Sequence, residues 1–125
     1  MKRDMDKIRD IMLYLEKNLK PGQEIQSTDL PFYDKKDDQD YMVMTEHIKL
    51  LIENHLINEF HTRLQGFTIY NITRITTQGH DFLDALRQDS VWNKTKEKAS
   101  QVGGFTLATM IDLGKEYVKQ EMLKL

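Results

Sequence analysis

Four histidines and twenty carboxylates are the groups in this chain able to hold a metal or move a proton, and there is no cysteine. The absence of cysteine removes disulfides, thiolate ligands and thiol nucleophiles together. His47 and His55 stand eight residues apart on one predicted helix, about 12 Å by helical rise, so they cannot share one ion. His61 falls on a predicted strand with no evident partner, and no HExxH occurs. The ring of His47 is expected to pack at a boundary and bond locally, and His55 to meet carbonyls at a helix end. Ser27, Ser90 and Ser100 lack a GxSxG setting, and VGGFTLAT lacks the lysine and spacing of a P-loop. His80, Asp81 and Asp84 would suit acid-base work, yet carboxylates in a first helical turn are explained by the helix dipole. The expectation is a protein that is not an enzyme and uses no cofactor or metal.

Recognition chemistry is the richer signal. The formal charge is −2, with 30% charged residues of mixed sign, so attraction to nucleic acid or anionic membrane must be local. From Phe60 through His80 no aspartate or glutamate appears, while Arg63 and Arg74 do, with Gln65 at a predicted turn. Lys94, Lys96 and Lys98 form a second basic cluster after the lone tryptophan, Trp92. With Lys49 on the middle helix, the candidate nucleic-acid contacts are Lys49, Arg63, Gln65, Arg74, Lys94 and Lys96. An acidic stretch around Asp34 to Asp40 supplies the opposite kind of surface. Candidate protein-interface residues are Asp37, Asp38, Asp40 and Trp92. Each set has a simpler reading: the charges as solvated surface, and Trp92 as the residue that closes a small core.

These residues need a scaffold. Met5, Ile8, Met12, Leu15 and Leu19 recur at helical spacing, with Asp4 and Asp6 at the start and Lys20-Pro21-Gly22 as a stop, which predicts a helix over about 4–19. EIQS reads as one short strand. TDLPFYDKKDDQD, with its proline and five aspartates, reads as an exposed loop with at most a helical turn. QDYMVMTEHIKLLIENH places Tyr41, Met44, Ile48, Leu51, Ile52 and His55 on one face of a second helix. Met42, Val43, Glu46, Lys49, Leu50 and Glu53 then face outward, with Asp38 and Asp40 at the helix start, so acidic residues dominate the charge of that face and suit it poorly to phosphates.

Near Leu56 the apolar period changes from 3.6 to two. LINEFHT and FTIYNITRIT alternate β-branched or aromatic residues with polar ones, and Arg63-Leu64-Gln65-Gly66 supplies the turn of a hairpin. Thr76 or Thr77 is a natural N-cap for the next helix. Gly79 in that helix's first turn costs stability, and its expected reason is close passage against another backbone, in the first helix or the hairpin. Phe82, Leu83 and Leu86 follow as core residues. Asp89-Ser90 is expected to break or recap the helix, Gly103-Gly104 is a punctuation, and a last helix is expected from about Thr106 to Leu123.

A helix running directly into a β-hairpin is the mark of the winged helix. The fold expected is α+β: a winged helix with two additional C-terminal helices, one domain over 1–125, with helical core and wing in 1–77 and C-terminal helices in 78–125. The middle helix of the usual three has little room between Gln26 and Gln39, so it must be shortened or replaced.

KRDMDKIRDIMLYLE, EHIKLLIENHLI and RITTQGHDFLDALRQDSVWNKTKEK, followed by two glycines and a terminal helix, together resemble a family of short bacterial and prophage winged-helix-like proteins of unknown function. GHDFLDALRQDSVWNK is the most specific piece, and the acidic loop matches least. The resemblance implies a winged-helix-like fold and a cytoplasmic bacterial or phage origin. It implies no activity, so it transfers no catalytic residues.

The leading expectation is a small regulator of the DNA-binding type that engages double-stranded DNA with its wing and basic tail. The alternative is an adaptor or inhibitor of a host or phage protein, using the acidic loop, the Trp92 region or the terminal helix. That helix is also a candidate homodimer surface. No apolar run approaches a membrane span and the opening residues are charged, so a cytoplasmic protein without membrane contact is expected.

Overall fold

The computed structural model describes residues 1–103 and 106–125. Gly104, the second residue of the expected glycine punctuation, lies outside the described residues. The architecture is α+β, with five α-helices and a three-stranded antiparallel sheet among the described residues. The chain forms two compact units, Met1–Gly79 and His80–Leu125.

In the first unit, α1 spans Met5–Asn18, and the Asp4 carboxylate caps it by accepting the amides of Asp6 and Lys7 at 3.0 and 3.2 Å. Its stripe of Ile8, Ile11, Met12 and Leu15 is wholly buried. Strand β1 is Ile25–Gln26, and a single 3-10 turn, Ser27–Asp29, stands where a middle helix would be. The shortening expected from the tight spacing is therefore present. Helix α2, Asp38–Glu53, is capped by Asp37 and buries Tyr41, Met44, Thr45, His47, Ile48 and Leu51.

His55 departs from the expectation that it closes the apolar face of α2. It is exposed, and its backbone is left-handed with φ 58°. The Leu56 amide donates to the Leu51 carbonyl at 2.9 Å and the His55 amide to Ile52 at 3.0 Å, the paired bonds of a Schellman ending with histidine in the position glycine usually takes. Leu56 is thereby tucked beside the helix end and the chain turns straight into the hairpin.

The hairpin is β2, Ile57–Leu64, paired antiparallel with β3, Phe67–Ile75, and the sheet order is β1-β3-β2. Gln65 and Gly66 form the loop, with Gly66 at φ 89°. Asn58 pairs with Arg74 but Glu59 with Ile72, so Thr73 is a bulged extra residue on β3. Its hydroxyl donates to the Asn58 carbonyl at 3.1 Å, closing the gap the bulge opens.

The hairpin leads into α3, Thr77–Leu86. Thr76 is the expected cap: its hydroxyl accepts the Gly79 amide at 3.0 Å and donates to the His55 carbonyl at 2.6 Å. A Cβ at Gly79 would overlap the Leu56 carbonyl oxygen and stand 2.6 Å from Ile75 Cγ2. The close approach inferred for this glycine is thus to the helix-to-hairpin junction.

In the second unit the expected two C-terminal helices become three. Helix α3 ends at Leu86, and an extended Gln88 starts α4, Asp89–Val102, at the break anticipated near Asp89. Gly103, left-handed at φ 78°, closes α4, and Thr106 caps α5, Leu107–Leu123. Gly114 on α5 lies so close to α3 that a Cβ would come within 2.6 Å of Leu86 Cδ2. Phe82, Leu83, Leu86 and Trp92 are all buried.

Candidate functional site

A groove runs between the N-terminal half of α2 and the tip of the hairpin. It consists of two cavities of about 410 and 250 Å³ that share Tyr41, Met42, Gly66 and Phe67. Its aromatic floor is built edge to face, with Tyr33 and Tyr41 ring centres 4.9 Å apart and Tyr41 and Phe67 at 6.2 Å. Tyr41 is fixed by a chain of hydrogen bonds. The Tyr70 amide donates to Ser27 Oγ at 2.9 Å, the Ser27 and Tyr41 hydroxyls lie 2.7 Å apart, and Tyr41 donates to the Thr68 carbonyl at 2.8 Å. Because the phenol has one proton and gives it to Thr68, Ser27 is the donor between the two hydroxyls.

Burial pushes the Tyr41 hydroxyl above its ordinary pKa, against the opposing bond from Ser27. Burial likewise raises Tyr70, with the Lys49 charge acting the other way. Lys49 is raised chiefly by its bond to Glu46, at 2.8 Å. Lys35 lies 3.8 Å from the Tyr33 ring centre and donates to the Thr28 and Leu30 carbonyls at 2.8 and 2.7 Å, so its charge braces the loop.

The two sets of candidate residues drawn from sequence meet here. Asp37 and Asp38 line one end of the groove, Gln65 lies beside them, and Lys49 and Arg63 line the other end. Asp40 is turned to the loop, its carboxylate accepting the Asp34 amide at 2.6 Å. Arg74 is elsewhere. It pairs with Asn58, five residues from Arg63 on β2, which sets the two arginines on opposite faces of the hairpin about 17 Å apart along the strand.

Lys94 and Lys96 belong to the second unit, where Lys94 pairs with Glu121 at 3.6 Å and Lys96 lies 5.6 Å from the Trp92 ring centre. Trp92 itself is only 2% exposed, which matches its reading as a core residue and leaves it no surface to offer a partner. His61 has the partner that spacing did not reveal, Glu59, at 3.1 Å, and its ring stacks obliquely on Tyr70 across the strands. His47 is 1% exposed, with Nδ1 donating to the Val43 carbonyl at 2.8 Å and Nε2 accepting the Asp4 amide at 2.9 Å.

Sequence reasoning set Met42 outward on α2 but missed the apolar residues of the hairpin. Phe60, Leu64 and Phe67 on the hairpin are 51, 45 and 42% exposed, and Met42 on α2 is 45% exposed. The available signal was Leu64 and Phe67 flanking a two-residue turn, where polar residues are usual. Tyr33 could not be found, because only the fold carries the acidic loop back to α2.

The chain is thus an α+β protein with a groove between a helix and the tip of the β-hairpin that follows it. It belongs to the DUF2513 family of hypothetical proteins, whose model matches residues 2–106. It is also 33% identical over 98 residues to an uncharacterized protein of Haemophilus influenzae, a match that covers 77% of this chain and 76% of that one. No solved structure matches it. Among the described residues no helix is long and apolar enough to cross a membrane.

Proposed function

We propose that this chain is a non-enzymatic, winged-helix binding module that holds a segment of another protein in the groove between α2 and the hairpin. The observation that carries this reading is the exposed apolar rim, Met42, Leu64 and Phe67, around an aromatic floor with Asp37 and Asp38 at its end. Exposed aromatic and methionine side chains around a concave floor are what protein interfaces use as anchors. The carboxylates favour a lysine or arginine on the partner, flanked by an apolar side chain. The chain then acts as an adaptor or inhibitor.

Panning a displayed peptide library against the intact protein tests this. Peptides pairing a basic with an apolar residue should be enriched, and Phe67→Ala or the joint change Asp37→Asn and Asp38→Asn should weaken them about tenfold or more. Asparagine keeps the helix cap while removing charge. No enrichment over the Phe67→Ala protein would overturn the reading.

Duplex DNA bound by the wing is the second reading, favoured by Arg63 and Gln65 at an exposed tip in a span free of acid. It is placed second because strong phosphate binding uses about six to ten cationic contacts, whereas Lys49 is paired with Glu46 and Arg74 faces away from Arg63. Titration with mixed-sequence duplex across a salt series distinguishes the two. A complex at low salt that weakens with Arg63→Ala more than with Arg74→Ala would put DNA first, and no complex would remove it.

A further inference from the structure

We propose that two copies of this chain pair through their β2 strands, about a two-fold axis at His61, to form one continuous six-stranded sheet. Strand β2 is the outer strand of the sheet, and from Asn58 to Leu64 none of its residues is buried. It carries neither proline nor lysine, the residues that commonly guard such an edge, and its unpaired backbone groups are a template for another strand. The bulge opposite Asn58 disturbs one end of the strand and leaves Glu59–Leu64 as a regular run.

The sequence of that run complements itself. In antiparallel pairing centred on His61, Glu59 of each copy lies opposite Arg63 of the other, giving two ion pairs on one face. On the other face Phe60 lies opposite Thr62 and diagonal to the second copy's Phe60 and Leu64. That covers the apolar side chains left 51 and 45% exposed in the single chain. Centring on Thr62 instead would set Arg63 against His61 and lose both ion pairs.

Arg63 has no ion pair among the described residues. The Glu59 side chain is 11% exposed and meets the His61 imidazole at 3.1 Å, so the pairing requires its carboxylate to turn from that ring to the second copy's Arg63. Arg63 and Leu64 also line one end of the groove, so the second copy and a segment held in the groove would share that end of the hairpin.

Light scattering on the full chain, with circular dichroism to verify folding, decides the matter. The wild-type protein should have twice the 14.8 kDa mass of one chain. Arg63→Glu should bring like charges together twice and weaken the dimer about tenfold or more. Joining Arg63→Glu with Glu59→Arg should restore the dimer. A monomeric wild type would overturn the proposal, as would a dimer indifferent to Arg63→Glu. That second result would move the contact to another surface, such as the exposed end of α5. A folded double variant that stays monomeric would also count against it.

Discussion

Ser27 and Tyr41 join three segments beside the groove: their hydroxyls lie 2.7 Å apart, and through them the 3-10 turn, α2 and β3 are bonded together. Each hydroxyl donates once and accepts once inside the protein. Removing either leaves a partner without its bond in a place water does not reach freely.

Ser27→Ala should therefore destabilise the protein by about 1–3 kcal/mol, because the Tyr70 amide loses its acceptor and Tyr41 its donor. Tyr41→Phe keeps the ring and should cost about 1 kcal/mol. Urea unfolding of both single variants and the double variant should give non-additive losses, since the residues share one network.

Alkaline pH should unfold the protein through the same ring. Tyr41 and Tyr70 both have folded-state pKa values raised above 10.0 by burial. Between that ordinary value and the raised one, the folded form binds more protons than the unfolded, so stability falls as pH rises. Their contribution is complete below pH 10 and is lost above it. Unfolding free energy followed through the alkaline range should decline from near pH 10, with a shallower decline in Tyr41→Phe.

Gly79→Ala should destabilise by roughly 1–3 kcal/mol, because its methyl would strike the Leu56 carbonyl and Ile75. At Gly66, with open space around it but φ 89°, alanine should cost about 1 kcal/mol through backbone conformation alone. The two variants separate the causes: in an Ile75→Ala background, which lacks Cγ2, the added loss from Gly79→Ala should shrink while that from Gly66→Ala should not change. Thermal melts of the single and double variants against wild type would measure this.

His47→Leu should cost about 1–3 kcal/mol, because it leaves the Asp4 amide and the Val43 carbonyl without their ring partner. His61→Leu, on an exposed strand, should stay within about 0.5 kcal/mol. Hydrogen exchange at the Asp4 amide should accelerate in the first variant and not in the second.

The helix-to-hairpin junction was legible because burial stamps its period on the residues. The change of rhythm at Leu56, the Thr76 cap and the close approach at Gly79 all follow from local chemistry, and the fold has each of them. What escaped was set by pairing across distance. Nothing around Thr73 announces an extra residue, because a bulge depends on the register of the opposite strand. The spacing of His55 continues the apolar stripe, while the left-handed ending it adopts leaves no visible pattern in the sequence. Asp89-Ser90 suits a break and a recapped continuation equally, so sequence does not reveal that α3 and α4 are separate helices. The groove needed Tyr33, Tyr41 and Phe67, which the fold collects from three separate segments.

The surplus residue at Thr73 divides the hairpin into two ribbons of opposite phase. Toward the tip, even-numbered residues of β3 share a side with Arg63; toward the base, Arg74 points the other way and Ile75 joins Ile57. A tally of charge along the strand consequently misstates the charge on either side of it. One residue inserted opposite Thr73 would restore a single alternation throughout the ribbon, and would have to do so by changing what the base presents to the interior.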